Sequence, residues 1–206
     1  MRQEGIVARK KRRFRRTTDS NHPDPIAPNT LDRNFDVAVP NTAWVTDVTY
    51  VWTHEGWLYL AAILDLYSRR VVGWAASACN DRVLALDALA RATSTRKPAA
   101  GLLHHSDRGS VYASGDYGDA LTKIGAIKSM SRKGNCWDNA PTESLWGSLK
   151  RARILGQRFA TRREAMDEVI DWLSFYNHSR LHSTLGYVSP MQFERDWYAA
   201  QNQRVA

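Results

Sequence analysis

Three runs rich in β-branched and aromatic residues, at residues 43–52, 57–66 and 70–76, follow one another with almost nothing between them. Links this short cannot carry a crossover, so they predict an antiparallel meander. The apolar period then lengthens. Asp81 can cap a helix reaching about Thr93, with Val83, Leu86 and Ala90 on one face. A short apolar strand at 101–105, a helix at 114–123 and a fifth strand at 126–130 come next. A polar loop at 131–139 leads into a helix that Asp138 or Asn139 can cap, with Pro141 in its first turn, where the missing N–H does no harm. Thr161-Arg162-Arg163-Glu164 reads as a capping box, opening a helix with Met166, Val169, Ile170 and Leu173 at helical spacing. Ser189-Pro190 starts a last short helix. This order predicts an α/β fold, a mixed five-stranded sheet flanked by helices; the pattern alone does not name the topology.

Charge divides the chain. The formal net charge is +8, yet residues 1–16 alone carry eight Lys or Arg against Glu4, leaving the rest almost neutral. Residues 1–40 therefore read as a basic arm and linker, 41–196 as the core with its C-terminal helices, and 197–206 as a tail. A basic arm, including Arg12, Arg13, Arg15 and Arg16, points to a polyanion such as nucleic acid, or else to a solvated leader. Hydrophobic residues make up 43% of the chain, enough for a core. No apolar run approaches the roughly 18 residues of a membrane span. The two cysteines, Cys79 and Cys136, imply no disulfide scaffold and fit a reducing cytoplasm.

Three carboxylates stand where sheet and helix ends can hold metal ligands. Asp47 lies within the first strand, where a charge is costly unless exposed or paired. Asp107 directly follows the fourth strand. Glu143 occupies a first helical turn, favourable to its charge. Hard oxygen ligands from separate elements are what two-metal phosphoryl transfer requires. The spacing alone is weak, because each acid also has an ordinary reading as a turn, edge or first-turn residue.

Their neighbourhoods are more specific. Trp44-Val45-Thr46-Asp47-Val48-Thr49-Tyr50, Leu64-Asp65-Leu66-Tyr67-Ser68-Arg69, His104-His105-Ser106-Asp107-Arg108-Gly109-Ser110, Gly134-Asn135-Cys136-Trp137-Asp138-Asn139-Ala140-Pro141-Thr142-Glu143-Ser144, and Tyr176-Asn177-His178-Ser179-Arg180-Leu181-His182 with Leu185-Gly186-Tyr187-Val188-Ser189-Pro190 occur in this order. Together they resemble the second-frame products of insertion sequences that encode a transposase in two overlapping frames. These belong to the DDE group, which has retroviral integrases as relatives. The resemblance implies a ribonuclease-H-like fold, Asp47, Asp107 and Glu143 as catalytic metal ligands, and two Mg²⁺ ions that Mn²⁺ can replace. It implies DNA cleavage and strand transfer, with water and then a DNA 3′-OH as nucleophile. The partners implied are element ends and target DNA, further copies of the chain on that DNA, and a first-frame product; the setting is the bacterial cytoplasm and nucleoid, with no membrane. Such proteins carry a helix-turn-helix-like region upstream, of which residues 1–40 give no sign, so the chain reads as a truncated or separately defined fragment. The alternatives are a ribonuclease-H-like nuclease that does not join strands, or an inactive DNA-binding remnant.

Lys150 lies two helical turns after Glu143 on the same face, where a cation can meet phosphate. Arg151 and Arg153 extend it as candidate DNA contacts, in a stretch continuing to Arg158, Arg162 and Arg163 without an acid. His104 and His105 lack partners at zinc spacing and read as strand-end residues. Asp65 reads as structural and Trp137 as either a base-stacking residue or a packing lid. His178, Arg180 and His182 can contact DNA, whereas Tyr176 and Tyr187 read as core.

Overall fold

The computed structural model describes residues 22–205. Five strands, β1 (Ala43–Thr53), β2 (Gly56–Asp65), β3 (Val71–Ser77), β4 (Leu103–Ser106) and β5 (Ile127–Met130), form one sheet in the order β3-β2-β1-β4-β5. The first three make the antiparallel meander, while β1, β4 and β5 run parallel. Six α-helices accompany them among the described residues: α1 (Arg82–Arg96), α2 (Ser110–Ala113), α3 (Gly115–Lys123), α4 (Ala140–Leu149), α5 (Arg162–His178) and α6 (Pro190–Val205).

Alternation along β1 and β2 supplies both faces of the sheet. Trp44, Ala61 and Ile63 pack beneath α1, α2 and α3. Val45, Leu60, Ala62 and Leu64 pack beneath α4 and α5. The sheet is thus buried on both sides, as a mixed sheet with helical crossovers must be.

Helix α1 begins as expected, with the Asp81 carboxylate accepting from the Leu84 N–H, but buries a different face. Leu84, Ala85, Ala88, Leu89 and Ala92 face the sheet, and Val83 is exposed. Close approach decides this. A Cβ added to Gly73 on β3 would lie 2.5 Å from the Ala88 carbonyl oxygen and 2.6 Å from the Ala92 Cβ. The alanine face is the one that lets the helix come so near. Gly73→Ala should therefore overpack the layer and cost about 1–3 kcal/mol, read as a lower midpoint in thermal or urea unfolding. An unchanged midpoint would show that α1 can lift without loss.

The Thr161 cap on α5 forms, its Oγ1 accepting from the Glu164 N–H, while the Glu164 carboxylate reaches one residue past the expected box and accepts from the Ala160 N–H. Its buried stripe is Ala165, Val169, Trp172, Leu173 and Tyr176, leaving Ile170 exposed. The final helix, expected to be short, has 16 residues and runs on through position 197. Residues 22–40 lie against the body rather than apart from it. Leu31 is buried in the core, and the Thr30 and Leu31 N–H groups donate to Ser129 Oγ. Tyr187, read as core, is exposed at a positive φ of 60°, on the turn after Gly186. The basic arm, with Arg12, Arg13, Arg15 and Arg16, lies outside the described residues.

Candidate active site

Strand register brings the first two carboxylates level. Parallel strands β1 and β4 pair only as far as Val45 opposite His105. Two residues beyond that pair stand Asp47 on one strand and Asp107 on the other, past the end of the ladder and on the same face. Asp47 remains inside the β1–β2 ladder, opposite Ala62, so its backbone is fixed. Asp47 Oδ1 accepts from the Val48 N–H at 2.8 Å, and Asp107 Oδ1 from the Gly109 N–H at 2.9 Å.

Glu143 enters from α4. A 3-10 turn at Cys136–Asn139 precedes that helix. The Asn139 amide donates to the Thr46 carbonyl at 3.1 Å, fastening the start of α4 to the residue before Asp47. Neither Asp138 nor Asn139 caps α4 through its side chain. Asp138 instead is fully buried and accepts from Arg132, Arg33 and Asn29. These hydrogen bonds, chiefly from Arg132, hold its carboxyl well below the ordinary range. The loop before Glu143 is thereby pinned both to β1 and to residues 29–33.

Electrostatics link the acids. Asp47 is raised well above 3.8 by burial first, then by Asp107 and Glu143, with Lys150 acting in the opposite direction. Elevation of one carboxylate by two others is what acids brought near one another produce. Glu143 is exposed and is raised by partial burial of its carboxyl. Among the described residues no three His, Cys, Asp or Glu side chains are gathered into a ready-made metal cage. The donors at this site are nevertheless all carboxylate oxygens, which suit a hard divalent cation. Burial and the neighbouring negative charge, which together raise Asp47, are what such a cation would offset.

Lys150 directly follows α4 and places its Nζ 5.1 Å from the Tyr50 ring centroid. Burial lowers its pKa, and Asp47 opposes that fall. A single π-helical turn, Lys150–Ile154, follows, a distortion that recurs at functional positions. The neighbouring arginines are used differently. Arg151 is exposed, and Arg153 pairs with Glu168 at 3.3 Å. Arg162 donates to the Glu55 and Trp57 carbonyls, and Arg163 pairs with Asp167, so both serve the fold. Trp137 is exposed beside the site, at 69%.

The histidines of β4 have structural partners. His105 bonds Ser129 and Ser131, and burial lowers it to about 4; His104 meets the Tyr117 hydroxyl and falls to about 3. Asp65 is buried, accepts from the Asn41 and Tyr67 N–H groups and lies 3.5 Å from Arg96, a structural role. Tyr176 is buried and His178 is exposed. Cys79 is exposed and unpaired. No described helix is long and apolar enough to cross a membrane.

Known proteins share both sequence and fold with this chain. Residues 38–136 and 125–190 match two families described as integrase core domain. A 31 kDa protein of insertion element IS600 from Shigella sonnei is 47% identical over 94% of the chain and 71% of its own length. The transposase InsF of insertion sequence IS3A from Escherichia coli K12 is 40% identical over 94% of the chain and 68% of its own length. The HTLV-2 integrase catalytic core domain, solved in complex with magnesium, superposes with a TM-score of 0.59 at 16% identity, covering 76% of this chain and 97% of that one. A chain of the simian T-cell lymphotropic virus intasome superposes with a TM-score of 0.64 at 17% identity, over 86% of this chain and 60% of that one. These last two show the ribonuclease-H-like fold. The chain belongs to the insertion-sequence transposases with an integrase core, and is the catalytic domain of a DNA polynucleotidyl transferase.

Proposed function

We propose that Asp47, Asp107 and Glu143 hold a pair of Mg²⁺ ions, with Mn²⁺ able to substitute, and that the site cleaves a DNA strand at the element end and joins it to target DNA. The observation that carries this is the register that sets Asp47 level with Asp107 at the end of the β1–β4 ladder, together with the Asn139 contact that fastens the start of the Glu143 helix to Thr46. When bound, the ions would supply Lewis-acid chemistry, activating the attacking oxygen and stabilising the leaving one. The chain's own residues do the rest. The β1–β2 ladder holds Asp47, and the Asn139 contact to Thr46 holds the helix that bears Glu143. Lys150 offers a cation to a phosphate beside the acids. The protein supplies no covalent nucleophile; water and then a DNA 3′-OH attack.

Arg151 is a further phosphate contact in this reading. Arg153 takes part only by leaving Glu168. The setting is the bacterial cytoplasm and nucleoid, with several copies of the chain on two DNA ends and a first-frame product as partner. Incubation of the protein with labelled terminal-repeat duplex, a target plasmid and Mg²⁺ tests the activity. Joined products that disappear with EDTA are expected. Nicked DNA without joining would identify a nuclease instead.

Residues 1–16, with Arg12, Arg13, Arg15 and Arg16, add sequence-independent affinity in this account. Each cation that meets a phosphate releases counterions, so deleting the segment should flatten the slope of log K against log salt by several units. A slope equal to that of the full chain would remove the arm from the DNA contacts.

A further inference from the structure

A cavity of about 260 Å³ lies between α4 and the end of α5. Its polar lining includes Arg69, Arg180, His182, Tyr176, Ser144 and Ser148, and apolar residues of α4 and β2, with Phe35, share the wall. Its chemistry is one-sided. Among the described residues neither Arg69 nor Arg180 is ion-paired with a carboxylate; Arg69 donates to the Phe35 carbonyl, and Arg180 to Ser148 Oγ at a long 3.4 Å. Arg180 Nε and His182 Nε2 are buried without a hydrogen-bond partner. The acids nearest in effect are Asp36 and Asp65, which act on Arg69 only at a distance.

Buried donors left unpaired are costly, and buried cations more so. A site that keeps two guanidinium groups and an imidazole round an open cavity is built for something that supplies charge and acceptors together. We propose that this cavity binds a phosphate group of the DNA strand, held by Arg180, His182 and Arg69, with the hydroxyls of Ser144 and Ser148 beside it. The guanidinium fork matches two phosphate oxygens at once. Tyr176 packs edge-on against His182 at 4.8 Å and orients the ring. Ser144 adjoins Glu143 in the sequence, so an anion here sits on the next face of the helix that carries that acid. A DNA strand presents a phosphate about every 3.4 Å of axis, so a strand at the carboxylates offers another phosphate to this side of the helix. His182 is held down at about 4, by burial first and then by Arg180 and Arg69, as a ring next to two uncompensated cations should be.

This inference rests on the DNA-processing reading, and the test separates the two. Full-length wild type and Arg180→Gln are compared in two measurements. The first is thermal unfolding against inorganic phosphate in the millimolar range, at constant ionic strength set with chloride. The second is affinity for a scrambled duplex as a function of salt. Phosphate should raise the wild-type midpoint and leave that of Arg180→Gln unchanged. The variant should bind duplex roughly tenfold more weakly, with the salt slope reduced by about 1, and Arg180→Lys should recover part of the slope. No phosphate effect on wild type overturns the site. A phosphate effect lost in the variant with an unchanged DNA slope overturns the assignment to the DNA backbone and leaves a free-phosphate site. If wild type binds no DNA, the DNA reading falls by itself, while the phosphate titration still decides whether the cavity takes an anion. Should Arg180→Gln fail to fold, the ¹⁵N shifts of the His182 ring in wild type decide, and a ring unmoved by phosphate overturns the proposal.

Discussion

Replacing Asp107 by Asn should lower strand cleavage and joining by at least about a thousandfold while duplex affinity stays within a few-fold of wild type. The substitution keeps the size of the side chain, and an amide oxygen can still accept the Gly109 N–H that Asp107 Oδ1 takes at 2.9 Å. What is lost is the negative charge that acts on Asp47. A single preorganised electrostatic partner is worth about 10²–10³ in rate, and a metal ligand adds occupancy to that. Affinity does not follow, because removing an acid near DNA lessens repulsion as it lessens metal binding. Single-turnover rates on saturating DNA separate the two effects. A variant that joins strands at the wild-type rate would take Asp107 out of the chemistry.

The second large effect concerns stability. Glu194 on α6 is 2% exposed and accepts from Arg96 through both carboxylate oxygens and from Arg70 at 2.6 Å. Arg96 ends α1 and Arg70 precedes β3, so this one carboxylate ties the last helix to the edge of the sheet. Glu194→Ala leaves both guanidinium groups in place with their main counter-charge gone. Breaking a buried pair in this way costs about 3–5 kcal/mol, a large part of the total stability of a domain. The urea midpoint should fall accordingly, and a loss under about 1 kcal/mol would mean that Asp65 and water compensate. The pH dependence has a definite sign. Burial pushes Glu194 up, but hydrogen bonds from Arg96 and Arg70 outweigh it and hold the group below 4.5. Its contribution is therefore present above pH 4.5 and is lost as pH falls through the depressed folded value. Asp65 is raised instead, chiefly by burial, and so counts against the folded state once the unfolded chain would ionise it. The Glu194→Ala variant should lose the acid-side part of the stability profile that wild type shows.

Much of this molecule was legible because its signals are local. The three-strand meander, the Asp81 cap and the Thr161 cap each depend on neighbours a few residues away, and all three form. The five ordered blocks are local as well, and their resemblance to a family is what implies roles for Asp47, Asp107 and Glu143. Relations between distant segments were not legible. That Asp47 and Asp107 stand level follows from the pairing of Val45 with His105, a register no spacing reveals. The buried face of α1 was misread because Gly73, on another element, selects the alanine side. Glu194 gave no signal, since Arg96 lies 98 positions before it. Asp138 reads as a helix cap because its place before α4 hides its partners: Arg132 is near in sequence, but Asn29 and Arg33 lie more than a hundred positions away. Tyr187 looked like core because aromatic residues usually are, whereas the turn after Gly186 turns it outward.

In the proposed function Asp47, Asp107 and Glu143 together hold the ions that drive strand transfer. Anomalous diffraction from crystals grown with Mn²⁺ and terminal-repeat DNA tests it most directly, because manganese is located independently of the protein atoms. The expected map has two peaks about 3.5–4 Å apart, with oxygens of all three carboxylates as ligands. Peaks ligated without Glu143 or Asp47, or none beside β1 in crystals where manganese binds elsewhere, would contradict the account.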